Sequence, residues 1–83
     1  MKGRIVCSKA GRDKGRFMAV VEDCGSTVLV CDGKERPLER PKRKNVKHIA
    51  LTKSCLDEEN FMSNRSLRHA LKKFGKESLR EEE

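Results

Sequence analysis

The sequence predicts a mainly β fold, a small five-stranded barrel, followed by a C-terminal α-helical appendage. Three observations carry this expectation. Five short segments rich in β-branched or apolar residues, separated by turn signals, fill roughly the first fifty residues. Beyond Lys53-Ser54 the apolar residues recur at helical spacing instead. The charge balance changes at the same place: residues 1–53 carry 14 basic and 6 acidic side chains, residues 54–83 carry 6 and 7. The expected organisation is a barrel over 1–53 and a helical extension over 54–83. Closing the sheet into a barrel removes the unpaired edges that a small β domain otherwise exposes.

Each element has its own signal. Arg4–Ser8 is short and rich in Ile and Val, residues 16–22 are mostly apolar, and Thr27–Cys31 is β-branched. Asp23-Cys24-Gly25-Ser26 supplies a turn between the second and third segments, which implies an antiparallel hairpin. Asp32-Gly33 is a further turn signal. Residues 36–44 read as extended. Pro37 and Pro41 donate no ladder hydrogen bond, so this strand belongs at an edge or is irregular. Residues 49–52 form the last short strand. Asp57-Glu58-Glu59 suits a helix start, where carboxylates are favoured beside unpaired N–H groups. Ser63 or Asn64 is placed to cap the next segment. Whether 57–62 and 64–74 form one helix or two stays open. Leu67, Ala70, Leu71 and Phe74 share one helix face, which is expected to dock on the barrel or on a partner. Arg65, Arg68, Lys72 and Lys76 lie opposite. Gly75 is expected to stop the helix, and Glu81-Glu82-Glu83 to fray.

Composition excludes several classes of function. At 83 residues the chain is too short to enclose both a large cavity and a catalytic cleft. No stretch approaches the ~20 apolar residues of a membrane span. The basic start, Met1 to Ser8, lacks the apolar core of a signal peptide, so a cytoplasmic location is expected and no membrane partner. Cys7, Cys24, Cys31 and Cys55 are widely spaced without a close pair, and His48 and His69 lie far apart, which argues against zinc. Cys7 and Cys31 are expected to be small, partly buried apolar residues of strands. No group of side chains supplies nucleophile, base and orienter together. The expectation is a non-enzymatic protein with no cofactor, metal or small-molecule substrate.

The charge points to a polyanionic partner. Lys and Arg number 20 against 13 Asp and Glu, a net charge of +7. The loop Lys9-Ala10-Gly11-Arg12-Asp13-Lys14-Gly15 gathers cations between two glycines, which permit the positive φ of a sharp turn. It is not a P-loop, because the Gly-x-x-x-x-Gly-Lys-Ser/Thr spacing is not met. A second basic run, Arg40, Lys42, Arg43, Lys44 and Lys47, contains no acid. Side chains alternate along an extended segment, so only two or three of these follow one line of phosphates. Trp and Tyr are absent and Phe occurs three times, too few aromatics for base stacking, which favours recognition of folded RNA through phosphates and 2′-hydroxyls.

Gly3-Arg4-Ile5-Val6, then Lys9-Ala10-Gly11-Arg12-Asp13-Lys14-Gly15-Arg16, Val20-Val21, Val28-Leu29-Val30 and Asp32-Gly33 resemble a KOW motif, with Gly15 as the motif's glycine. The run from Lys42 through Asn45-Val46-Lys47-His48-Ile49 to Thr52 looks like the basic segment and last strand of the fourteen-e type large-subunit ribosomal proteins of archaea and eukaryotes. The chain is also similar to stand-alone bacterial KOW proteins described as RNA-binding. The resemblance spans residues 3–53. It implies an SH3-like barrel of five strands with a short 3-10 turn near 45–48. It implies binding of structured RNA, ribosomal RNA first, in a ribosomal or ribosome-associated setting where other ribosomal proteins are possible partners. The contacts carried over are Lys9, Arg12, Lys14 and Arg16 from the loop, then Lys42, Arg43, Lys44 and Lys47, with Gly11 and Gly15 shaping the loop. The ribosomal relatives continue into a more basic extension, whereas residues 54–83 here have a net charge of −1.

Two other readings compete. One is a protein-interaction module of the transcription or translation machinery, with the amphipathic helix as its adhesive element. The other is a chromosome-associated DNA binder.

Overall fold

Alternation of side chains along the strands decides which residues meet, and here both faces of the central strands are apolar. The computed structural model describes the backbone of residues 1–81 and the side chains as far as Lys76. Its elements are β1 (Arg4–Ser8), β2 (Phe17–Asp23), β3 (Thr27–Cys31), β4 (Lys42–Asn45), a 3-10 turn (Val46–His48), β5 (Ile49–Cys55), a second 3-10 turn (Glu58–Phe61) and the helix α1 (Asn64–Glu81). The strands form one antiparallel sheet in the order β4-β3-β2-β1-β5. Val6 pairs with Met18, and Val20 with Val30. These residues, with Val28 and Ile49, bury one face of the sheet. Ile5 and Cys31 both pair with Ala19, and these three bury the other face against Leu67 and Leu71 of α1.

The closed barrel expected from the sequence is not formed as a hydrogen-bonded cylinder. The ladder stays open, with β4 and β5 as its two edges. The reason lies in residues 36–44, expected to be extended throughout. Asp32 accepts backbone hydrogen bonds from Lys34 (2.8 Å) and Arg36 (2.9 Å), and Arg40 N donates to the Pro37 carbonyl (2.9 Å). The segment turns repeatedly, and only four residues remain for β4 before the chain enters the 3-10 turn. β4 pairs with β3 alone, and no ladder joins it to β5. Curvature is nevertheless strong, because Ile49 of β5, at the far edge, joins Val28 and Val30 of β3 in one cluster. A register shift between Val20 and Glu22 helps to bend β2, as bulges do.

The C-terminal part is two elements rather than one. Asp57 N donates to Asn60 Oδ1 (3.0 Å) within the short 3-10 turn. Ser63 then caps α1 by accepting from Ser66 N (3.1 Å). β5 continues past the expected boundary to Cys55. The helix does not stop at Gly75 as expected but continues to Glu81. Gly75 is absent from the glycines with positive φ, so it makes no left-handed cap. Before it Phe74 anchors the helix by an edge-to-face contact with Phe17, ring centroids 5.1 Å apart. Of the acidic end expected to fray, Glu82 and Glu83 lie outside the described residues.

The apolar stripe of α1 therefore docks on its own sheet. Gly33 sets how closely the two approach. Its φ is +79°, and a Cβ there would run into the Asn64 carbonyl oxygen and lie 3.0 Å from Arg68 N. Asn64 locks the same junction, accepting from Leu38 N (2.7 Å) and donating to the Glu39 carboxylate (2.9 Å). No helix of the described residues is long and apolar enough to cross a membrane.

Leu67 is fully buried between helix and sheet. Leu67→Ala is expected to lower stability by about 3 kcal/mol, a large fraction of what so small a domain has, as a fall in the urea midpoint. Gly33→Ala should also destabilise, since both the left-handed backbone and the approach of α1 oppose a methyl group.

Candidate nucleic-acid interface

The loop between β1 and β2 is held by its own backbone. Gly15 N donates to Ser8 O (2.8 Å), Ser8 N to Arg16 O (3.0 Å), and Arg16 N to Asp13 O (2.9 Å). Gly11 and Gly15 take the positive φ expected of them, +83° and +87°. The loop is also fastened to the second basic segment. Lys9 N donates to His48 O (2.8 Å) at the 3-10 turn. Lys44 Nζ donates to the Ala10 carbonyl (2.7 Å) and to Asp13 Oδ1 (2.8 Å). Ser8 Oγ donates to the same carboxylate oxygen at 2.8 Å, and Lys42 Nζ approaches the other at 3.5 Å.

Asp13 is the centre of this arrangement, and it is buried. Burial by itself pushes a carboxyl group's pKa upward. The hydrogen bonds from Lys44 and Ser8, and the charges of Lys44 and Lys42, outweigh that and hold Asp13 well below the usual carboxylate range. The pair is cross-strand in origin: Val28 faces Lys44 and Val30 faces Lys42, so both lysines emerge on the face of the Val6–Met18 cluster, where the loop lies.

This geometry sorts the eight cations expected from the sequence. Lys9, Arg12 and Lys14 are exposed on the loop, and Lys47 is exposed beside His48, to which the loop is tied. Lys42 is half-buried and shared with Asp13. Lys44 is 7% exposed, so its charge faces the interior and holds the loop. Arg16 is exposed but engaged by Glu35 (2.8 Å) and lies 3.9 Å from Asp32. Arg43 leaves the opposite face of β4, near Thr27 Oγ1 (3.4 Å). The loop and the basic run are thus brought side by side, while the cations available to a ligand reduce to Lys9, Arg12, Lys14 and Lys47, with Lys42 partly so. Sequence reasoning missed Asp13 as the organiser. The signal was there: it is the sole acid in the basic loop, followed by a lysine pair on the same strand face.

The remaining chemistry-bearing residues lie elsewhere. Cys31 is buried, and desolvation, with the charges of Asp32 and Glu39, pushes its thiol up to about 11, so it serves as an apolar core residue. Cys7 is half-buried, and Cys24 and Cys55 are exposed. Among the described residues no group of His, Cys, Asp and Glu is arranged to hold a metal ion. Compared with known proteins, the chain matches no family model and no curated sequence.

Asp13→Ala leaves the Lys44 ammonium buried without its anion, and should cost about 3 kcal/mol. The double variant Asp13→Ala/Lys44→Met should recover much of that loss, giving a coupling of about 1–3 kcal/mol in a denaturation cycle. The pH dependence follows from the same pair. The folded carboxyl is more acidic than the unfolded one, so its stabilising contribution is complete at neutral pH. It begins to fall as the pH drops to about 4 and is lost further below. Urea midpoints of wild type and Asp13→Asn should therefore converge as the solution is acidified.

Proposed function

We propose that this chain is a non-enzymatic RNA-binding module of the KOW type. On this reading its open, curled sheet is a variant of the SH3-like barrel, and its ligand is structured RNA, with ribosomal RNA as the expected class. One observation carries the reading: the Asp13–Lys44 pair fastens the glycine-bounded loop against the basic edge of the sheet. Lys9, Arg12 and Lys14 therefore project from a fixed backbone rather than a loose hairpin, beside Lys42 and Lys47. Fixing the cations beforehand reduces the ordering cost of binding. The 3-10 turn Val46–His48 falls where the resemblance implies one, and Gly15 turns the chain where the motif's glycine would.

The mechanism is electrostatic. Phosphates are met by the loop cations and by Lys47. Lys44 positions the loop and makes no contact of its own. The rival reading, a protein-interaction module, relied on the apolar face of the helix. That face is covered by the chain's own sheet, with Leu67 and Leu71 buried there.

A filter-binding titration of full-length protein against a structured RNA should show affinity falling steeply with salt. Lys9→Ala/Arg12→Ala/Lys14→Ala should bind more weakly and reduce the slope of log K against log salt by about 2, at roughly 0.7–0.9 per phosphate contact. A triple variant with the wild-type slope would remove the loop from the mechanism. Competition with a duplex DNA of equal length distinguishes an RNA reader from a DNA binder, since only RNA offers 2′-hydroxyls.

A further inference from the structure

A second basic surface lies on the other face of the sheet. From Asn64 to Lys76 the helix carries Arg65, Arg68, Lys72, Lys73 and Lys76, together with His69, and no carboxylate. Burial of Leu67 and Leu71 fixes the rotation of the helix and leaves Arg65, Arg68 and Lys72 exposed. Gly33 brings the connection after β3 down onto the first turns of α1, against Asn64 and Arg68, and Lys34 follows it directly. The result is a depression of about 520 Å³ lined by Lys34, Arg65, Arg68, His69 and Lys72. Among the described residues none of these cations takes part in an ion pair.

Like charges brought together without a counter-charge repel one another, and a multiply charged anion relieves that repulsion. The adjoining groove between α1 and the end of β5 shares Arg65 and His69 but includes Glu59 in its lining, so the wholly basic depression is the better match to phosphate. The loop around Asp13 closes one face of the sheet and α1 covers the other. The two basic surfaces lie on opposite faces of the sheet and come nearest at the turn after β3, where Glu35 pairs with Arg16 and Lys34 borders the depression.

We propose that the depression formed by Lys34, Arg65, Arg68 and Lys72 binds the phosphate backbone of a second RNA segment, so that one chain ties two RNA segments together across its sheet. This rests on the RNA-binding reading of the loop and extends it to a bridging role. A chain of 83 residues with two phosphate-binding faces acts as a clamp between neighbouring helices of a folded RNA.

The test uses full-length protein and two short RNA duplexes of different sequence, one biotinylated on beads and one fluorescent. Analytical ultracentrifugation gives the stoichiometry and shows whether the protein is monomeric in the complex. The helix variant is Lys34→Ala/Arg68→Ala/Lys72→Ala, and the loop variant is Lys9→Ala/Arg12→Ala/Lys14→Ala. All six side chains are exposed, so circular dichroism and thermal melting should match wild type. Wild type should bind two duplexes per monomer and capture the fluorescent duplex on the beads. Each variant should bind one duplex, and capture should fall about ten-fold or more, with the salt slope of the helix variant's remaining site unchanged. Binding of one duplex per wild-type chain, abolished in the loop variant and untouched in the helix variant, would overturn this inference and leave the loop reading standing. So would bridging that occurs only through protein dimers. Wild type that binds neither duplex at low salt would overturn both.

Discussion

The Asp13 carboxylate is the constraint on which the arrangement of the molecule's basic end depends. It receives a buried ammonium from Lys44 and a hydroxyl from Ser8, with Lys42 close by. An isolated charge in that position would be costly to desolvate, and the two opposite charges are tolerable only together. The consequence is positional. Lys44 also grips the Ala10 carbonyl, so a loop whose glycines would otherwise leave it free is fastened to the neighbouring edge strand. Spending two charges internally fixes the place of several others.

The same economy governs the rest of the charge. Among the described residues, Arg16, Lys42 and Lys44 are the Lys and Arg side chains held in ion pairs. Arg16 is held by Glu35, and Lys42 is shared with Asp13. Two groups of exposed cations lie on opposite faces of the sheet: the loop with Lys47 on one side, and Lys34 with the outer face of α1 on the other. Net charge alone describes a basic protein. The sheet between the groups makes it a basic protein with two directions.

That separation depends on the central strands being apolar on both faces. Met18, Ala19 and Val20 are consecutive and all fully buried, which a sheet with one wet face would not require. One side is covered by the curl of the sheet itself and the other by Leu67 and Leu71. The helix thus covers one of the two apolar faces of the sheet rather than hanging from it as an appendage, and Gly33 is the residue that lets it come close enough.

The first three strands and the hairpin between the second and third were legible in the sequence, because β-branched runs such as Thr27–Cys31 and turn residues such as Gly25 act locally. The sequence by itself also determined the apolar stripe of the helix and the positive φ of Gly11 and Gly15, which depend on periodicity and sterics within a few residues. That the sheet stays open emerges only in the fold, where residues 32–41 turn and β4 pairs with β3 alone. The passage of the helix through Gly75 emerges there too, with Phe74 just before it packed on Phe17 at the start of β2. Only the tertiary structure decided which lysine is interior: Lys42, Lys44 and Lys47 are alike in sequence, and Lys44 differs by facing Asp13, 31 residues away. Local patterns report on neighbours along the chain, whereas the fate of a charge depends on the dielectric and the counter-charge that distant segments bring to it.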